Sequence, residues 1–299
     1  MTENLKKYAA CRLCAHSCGV NRILGETGRC GVTDKIMLAR ASLHEWEEPI
    51  ISGKCGSGTI FFTGCSLNCI YCQNREISAG KVGKEVTLDR LSEIMRELER
   101  KGAHNINFVT PTHYAPTVVC AAKMAKEDGL SVPIVYNTSS FEREETIELL
   151  NGTVDIYLAD LKYHSEATSK KYSGTEKYPD VAKRAIRKMV EQKGRARIEN
   201  GLMRSGVLVR ILLLPGHLAE AKLLCSYLLS EYGDDVYISL MSQYTPNSVL
   251  PSPLNRRVTK REYDELCDYA VKKGLKNGFI QEGISASESF IPAFDFSGL

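Results

Sequence analysis

What the sequence lacks narrows its class before any motif is read. No apolar run approaches the about 20 residues needed to span a bilayer, and the longest, Val207–Leu214, is interrupted by Arg210. The opening stretch Met1–Lys7 is polar, without the apolar centre of a secretion signal. There is no internal repeat and no low-complexity segment. No block of like charge exists, the formal net charge is only +3, and Arg184, Arg187 and Lys188 read as one solvated helix face. A stripe that could track phosphates is missing, so nucleic acid is not an expected partner. With 43% hydrophobic and 25% charged residues, the composition excludes a disordered chain. These absences lead us to expect a soluble, cytoplasmic protein that engages neither membrane nor nucleic acid.

Cysteine, by contrast, is plentiful. There are 11, and those at positions 11, 14, 18, 30, 55, 65, 69 and 72 all precede residue 73. In a chain of this size without a signal, clustered cysteines point to metal binding or redox chemistry rather than disulfides. Cys120, Cys225 and Cys267 stand alone within helical patterns and read as small buried hydrophobes.

From about residue 58 the pattern alternates strand and helix. Strands are expected at 58–64, 105–110, 132–137, 154–161, 206–214 and 236–241. Helices are expected at 87–101, 117–127, 142–150, 178–192, 218–232 and 259–273, before a last apolar stretch at 278–280. Strands this apolar, each followed by a helix, indicate a parallel sheet covered by helices. The expected α/β architecture is a (β/α)6-type partial TIM barrel, with a doubly wound open sheet as the competing arrangement. In both, chemistry belongs at the C-terminal ends of the strands. The division read from the sequence is a cysteine-rich metal-binding segment (1–52), a catalytic barrel (53–250) and a C-terminal helical extension packing on it (251–299).

The loop after the first of these strands reads Cys65-Ser-Leu-Asn-Cys69-Ile-Tyr-Cys72, with no fourth cysteine close behind. A cubane iron–sulfur cluster normally takes four thiolates. Three leave one iron open to chelate a small molecule through an amine and a carboxylate. Gly64 and Ser66 are small enough for a tight wrap, and Tyr71 could lie against a purine ring. A zinc knuckle or accidental spacing is the bland alternative. The loop resembles the signature of the radical S-adenosylmethionine (SAM) superfamily. The resemblance implies a [4Fe–4S] cluster on Cys65, Cys69 and Cys72, whose open iron holds SAM. It also implies reductive cleavage of SAM to a 5′-deoxyadenosyl radical that abstracts hydrogen from substrate. The wider run GTIFFTGCSLNCIYCQN is similar to the activating enzymes of pyruvate formate-lyase and their relatives, a likeness covering roughly residues 53 to 250. A group related to that activating enzyme shares the N-terminal cysteine run and the phrases NINFVTPTHYAP and SLMSQYTP.

The same resemblance suggests which residues hold SAM. Thr110-Pro111-Thr112-His113 stands where the family carries a Gly-Gly-Glu turn. Proline removes one N–H there, but the carbonyls of Thr110 and Thr112 remain acceptors. Asn137-Thr138 stands where the activating enzymes have an Asp-Thr pair that helps bind a cation near the SAM carboxylate. Asp160 and Lys162 match an Asp-x-Lys aimed at SAM and fall on one face, because side chains alternate along a strand. Arg210, in the middle of VLVRILLLPG, is either a cation for the cofactor or half of a structural salt bridge, with Asp160 as the candidate partner. Tyr244 is an adenine contact or a surface aromatic. His113 is either a proton carrier facing substrate or a packed loop residue, and His217 belongs to a turn.

Before the barrel, Cys11, Cys14, Cys18 and Cys30 are accompanied by glycine-rich turns. Four thiolates suit a tetrahedral zinc site or a second [4Fe–4S] cluster. The paired glycine turns resemble zinc knuckles, and a structural clip fits a segment with so few apolar residues. Cys55 could replace one of the four. The expected function is reductive SAM cleavage and hydrogen abstraction, fed by a flavodoxin- or ferredoxin-like electron donor. The substrate is a protein that receives a glycyl radical, or a small molecule or peptide. From another class, the chain could be an iron–sulfur or zinc binding protein without catalysis.

Overall fold

The computed structural model describes residues 3–80, 82–246, 249–280 and 292–299. Its strands are β1 (Ile36–His44), β2 (Ser57–Phe62), β3 (Lys84–Val86), β4 (Ile106–Val109), β5 (Ile134–Thr138), β6 (Ile156–Asp160), β7 (Arg197–Glu199), β8 (Leu202–Leu212), β9 (Tyr237–Met241) and β10 (Gly278–Ile280). The helices are α1 (Pro49–Ser52), α2 (Arg75–Ser78), α3 (Leu88–Arg100), α4 (Ala115–Glu127), α5 (Glu144–Leu149), α6 (Glu166–Ser173), α7 (Tyr178–Lys193), α8 (Leu218–Tyr232) and α9 (Lys260–Lys272). None of the helices among the described residues is long and apolar enough to cross a membrane.

One sheet runs in the order β10-β9-β8-β6-β5-β4-β2-β1-β3, with β7 paired to β8. From β2 to β10 the neighbours on this path are parallel, whereas β1 pairs antiparallel with β2 and β3. The six expected strands are therefore present in the expected order, and Gly278–Ile280 adds a further parallel strand. The sheet does not close.

The main helices lie on one face of it. Leu91 of α3, Ala121 of α4, Ile147 of α5, Ile186 of α7, Leu224 of α8 and Leu266 of α9 belong to one continuous buried cluster with Ile60, Phe108, Tyr136, Tyr157 and Val209 of the strands. On the opposite face Val135, Ile156, Leu158 and Leu208 meet Ile51 of the single-turn α1. A doubly wound sheet would carry its crossover helices on both faces, so this is the partial barrel. The local signals agree with it: the Thr87 hydroxyl accepts the Arg90 N–H at the start of α3, and Thr259 and Glu262 form a reciprocal capping box on α9.

The strand β1 has no counterpart in the sequence pattern. Its apolar residues serve two surfaces, Leu38 and Ala41 facing the main cluster and Ala39 a small one with Phe61 and Ile77, while Arg40 and Ser42 break the run. The chain leaving β1 turns across the concave face, and α1 fills its floor. This positions Glu47 and Glu48 under the C-terminal ends of the strands. Ile51 is fully buried there, so Ile51→Ala should cost about 2–5 kcal/mol, read as a lowered urea midpoint with an unchanged slope.

Candidate active site

The cysteine loop leaves the C-terminal end of β2, the end at which a parallel barrel gathers its chemistry. Gly64 opens it with φ +87°, and a Cβ there would stand 2.7 Å from the Cys30 carbonyl oxygen and 2.8 Å from a Val32 methyl. Only glycine supplies both the left-handed backbone and the space. Asn68 also has positive φ, and its N–H points at Cys65 Sγ from 3.4 Å. The Cys72 N–H bonds the Cys69 carbonyl at 3.1 Å, and the Ser173 hydroxyl donates to Cys69 Sγ at 3.0 Å. None of the three cysteines is in a disulfide. Burial pushes the Cys65 thiol up to about 12, with Cys72 and Cys69 adding to the effect, and it raises Cys72 as well.

Among the described residues no three His, Cys, Asp or Glu side chains form a group that could hold one metal ion. A zinc knuckle would need four ligands meeting about 2.0–2.3 Å from a single point. A cubane takes each thiolate on a different iron, so its ligands need not meet. Ser66 Oγ in the loop, and Ser139 Oγ, Ser140 Oγ and Glu142 Oε2 after β5, are buried without a hydrogen-bond partner. Buried polar atoms are normally satisfied. Their clustering at the ends of β2 and β5 is what a polar ligand seated there would explain. Three thiols and this set of orphaned atoms fit a cluster carrying SAM.

Below the loop, the concave face carries a polar layer centred on Arg210. Arg210 and Asp160 are direct partners across β8 and β6, and Nε meets Asp160 Oδ1 at 2.8 Å. Nη1 meets Glu47 Oε2 at 3.2 Å, and Nη2 donates to Asn137 Oδ1 at 2.5 Å. Glu47 in turn accepts from Asn107 at 3.0 Å and from Asn137 at 3.3 Å. Lys162 Nζ lies 2.6 Å from Asp160 Oδ2. Burial alone would raise the Asp160 pKa, but Arg210 and Lys162 outweigh it and leave the carboxyl below its ordinary value. Glu47 goes the other way: burial dominates, and Arg210 offsets it only in part. The salt-bridge reading of Arg210 is thus realised, and Asp160 and Lys162 share a face as expected. Lys162 is also the cation that interacts electrostatically with Cys69 and Cys72. Glu47 was not foreseen. Its only signal is an acidic pair, Glu47-Glu48, directly before Pro49 and an apolar turn.

A second buried carboxyl, also unforeseen, joins the turns after β4 and β5. Glu142 Oε1 accepts from Thr112 at 2.6 Å and from Thr138, with the Tyr136 hydroxyl at 3.5 Å. Burial raises its pKa, against the threonine hydrogen bonds. Thr110 is half-buried nearby. Tyr71 and Tyr244 come together, their ring centroids 6.1 Å apart, within a group that includes Tyr163 and Tyr172. Tyr244 is buried rather than a surface aromatic, and its hydroxyl donates to the Leu254 carbonyl at 2.6 Å.

His113 is a packed histidine. Its Nε2 lies 2.8 Å from the Thr63 carbonyl, which can only accept, so Nε2 carries the proton. Burial, with Arg22 close by, lowers its pKa to about 3, and it stays neutral at physiological pH. His217 Nε2 is 2.9 Å from the Tyr172 hydroxyl, at the turn that starts α8. Cys120, Cys225 and Cys267 are buried.

Cys11, Cys14, Cys18 and Cys30 line one pocket with Arg22 and His113. Cys55 does not line it. It precedes β2 at the opposite end of the strands, where its N–H meets His104 Nε2 at 3.3 Å.

A family model described as the radical SAM superfamily matches residues 59–221, more than half of the chain. The uncharacterized protein MJ0674 of Methanocaldococcus jannaschii is 28% identical over 278 residues, 90% of this chain and 76% of that one. Among solved structures, a domain of pyruvate-formate lyase-activating enzyme from Bacteroides vulgatus is similar at 16% identity with a TM-score of 0.42, over 56% of this chain and 92% of its own. SuiB of Streptococcus suis is similar at 14% identity with a TM-score of 0.49, over 74% of this chain and 47% of its own, so the match spans about half of SuiB.

Two stability predictions follow from the buried carboxyls. Arg210→Met leaves Glu47 without its cation and Asp160 with Lys162 alone, and should cost about 3–5 kcal/mol at neutral pH. Asp160 contributes its stability above the ordinary carboxyl value of about 3.9 and loses it as pH falls toward its lowered folded value. The gap between Arg210→Met and wild type should therefore narrow on acidification, as measured by urea midpoints across pH. Glu142→Gln keeps a carbonyl for both threonines and should cost under about 1 kcal/mol, whereas Glu142→Ala should cost about 1–3 kcal/mol.

Proposed function

Because the chain belongs to the radical SAM superfamily, we propose that it cleaves SAM reductively at a [4Fe–4S] cluster on Cys65, Cys69 and Cys72, and removes hydrogen from a protein substrate, as the activating enzymes of glycyl radical proteins do. The observation that carries this reading is the three-thiol loop at the C-terminal end of β2, with buried polar atoms that have no partner in the loop itself and after β5. When bound, the cluster and SAM supply the one-electron cleavage and hydrogen abstraction; the protein binds, orients and excludes water. The protein-substrate assignment rests on the likeness of GTIFFTGCSLNCIYCQN to the activating enzymes, and the electrons come from a flavodoxin- or ferredoxin-like donor.

Within that reading the residues divide by what already holds them. Lys162 is the cation beside the cysteines, and we assign it to the SAM carboxylate. Asp160 keeps lone pairs beyond those used by Arg210 and Lys162, so it can accept a ribose hydroxyl. Arg210 directs three of its five N–H donors at Asp160, Glu47 and Asn137, and so orients Asp160. The Thr110 and Thr112 carbonyls take the methionyl amine, on a turn fixed through Glu142 to Thr138. Tyr71 and Tyr244 form the apolar side for adenine.

After anaerobic reconstitution and reduction with dithionite, wild type should convert SAM to 5′-deoxyadenosine, measured by mass spectrometry. Cys65→Ala, Cys69→Ala and Cys72→Ala should each abolish it. Unchanged turnover in any of the three, or no product from wild type with a full cluster, would sink the assignment.

A further inference from the structure

We propose that the Ser173 hydroxyl, held in place by Tyr163, raises the reduction potential of the cluster on Cys65, Cys69 and Cys72 by donating a hydrogen bond to the Cys69 sulfur. The inference rests on the function proposed above and deepens it, because it gives residues outside the cysteine loop a part in accepting the electron.

Two consecutive residues at the C-terminal end of α6 clasp the loop. The Tyr172 carbonyl accepts the Ile70 N–H at 2.9 Å. The next residue, Ser173, places its hydroxyl 3.0 Å from Cys69 Sγ. Gly174 ends the helix immediately afterwards, in the left-handed region at φ +70°, with its N–H on the Lys170 carbonyl at 3.0 Å. The last side chain of α6 is thus the one that meets the cysteine.

The contact has a direction. Ser173 and Tyr163 are both buried, and their hydroxyl oxygens are 2.7 Å apart. A thiolate bound to iron can only accept, so the Ser173 proton lies toward Sγ. The Ser173 oxygen is then an acceptor, and the proton between the two hydroxyls comes from Tyr163. The chain runs from Tyr163 O–H to Ser173 O–H to the Cys69 sulfur, each hydroxyl polarising the next. The Tyr163 ring is fixed in turn by edge-on packing against Tyr71 and Tyr178, with centroids 6.4 and 5.2 Å away. Tyr163 is therefore a positioning residue, acting through Ser173.

Charge gives the sign of the effect. One electron arrives from the flavodoxin- or ferredoxin-like donor, with no bond made or broken and no proton moved, and the site gains one negative charge. A hydrogen bond donated to a ligating sulfur stabilises that more negative state and so raises the potential. Cys69 and Cys65 are not served alike. Cys69 has the hydroxyl at 3.0 Å and the charge of Lys162 nearby, whereas Cys65 has a backbone N–H at 3.4 Å.

The test is a redox titration followed by EPR, on the full-length chain reconstituted anaerobically with iron and sulfide and without SAM. At a fixed potential within the transition, Ser173→Ala should lower the ratio of reduced to oxidised cluster about tenfold, equivalent to about 59 mV for a one-electron couple. Tyr163→Phe keeps the ring and should shift the ratio the same way by less. Ser169→Ala is the control. Its hydroxyl, on the same helix, donates to the Thr175 carbonyl at 2.6 Å, so its loss should lower the urea midpoint without moving the ratio. An unchanged ratio in Ser173→Ala with the cluster assembled would overturn the proposal and leave the proposed function standing. Where Ser173→Ala takes up no cluster, Tyr163→Phe decides by the same reading. An equal shift in Ser169→Ala would also overturn it, by making the effect one of helix packing. A wild type that assembles no cluster would remove the function proposed for the loop, and this inference with it.

Discussion

The buried guanidinium of Arg210 is the interaction on which the working end of the barrel depends. A charge in the middle of an apolar strand is tolerable only if its desolvation is repaid by partners with fixed geometry. Here the partners come from three separate pieces of chain. Asp160 is supplied by the neighbouring strand, Asn137 by the strand beyond it, and Glu47 by the segment that crosses the concave face. The ion pair therefore sets more than local charge. It ties the loop between β1 and α1 to the centre of the sheet, and through Asp160 it fixes Lys162, the cation beside the cysteines. A partial barrel has an open side, and its inner face would otherwise be wetted. The crossing segment, held at Glu47 and packed at Ile51, closes the floor.

The cysteine loop depends in the same way on residues outside the barrel strands. Its back is the Cys30 carbonyl and Val32, pressed against Gly64 so closely that no side chain fits. The N-terminal segment is anchored independently, by the Tyr8 hydroxyl 2.7 Å from Thr117 Oγ1 and by Thr146 Oγ1 donating to the Leu13 carbonyl at 2.8 Å. These anchors lie at the starts of α4 and α5, where the helices leave the catalytic end. The segment is therefore a wall of the site and not a separate module tethered to it. This explains how a run so poor in apolar residues stays in place.

The barrel itself was legible because its strands are apolar on both faces and its helices are amphipathic. The range 218–232 read from spacing is α8 to the residue, and Thr87 caps α3 as its position suggested. The cysteine loop was legible because spacing and strand context coincide. β1 was not, since it divides its apolar residues between two surfaces and carries Arg40 and Ser42 between them. Glu47 and Glu142 were invisible for a related reason. A buried carboxyl is recognised by its partners, and those of Glu47 lie 60, 90 and 163 residues away. The alternatives for Arg210 could not be separated by sequence either, because a cation that meets a ligand and one that holds an aspartate have the same local pattern.

The two unforeseen carboxyls do opposite work, and the difference shows how the site keeps its shape while leaving room for a ligand. Glu47 sits against Arg210, and its charge is useful in the ion network even though burial lifts its pKa. Among the described residues no cation pairs with Glu142; hydroxyls and a backbone N–H bind it, and burial raises its pKa against them. Its Oε2 remains without a partner, as do the hydroxyls of Ser66, Ser139 and Ser140. The turns after β4 and β5 are thus fixed to each other from behind. Rigid support beneath an unsatisfied rim is the arrangement expected where a polar cofactor must be oriented by groups that need not move to receive it.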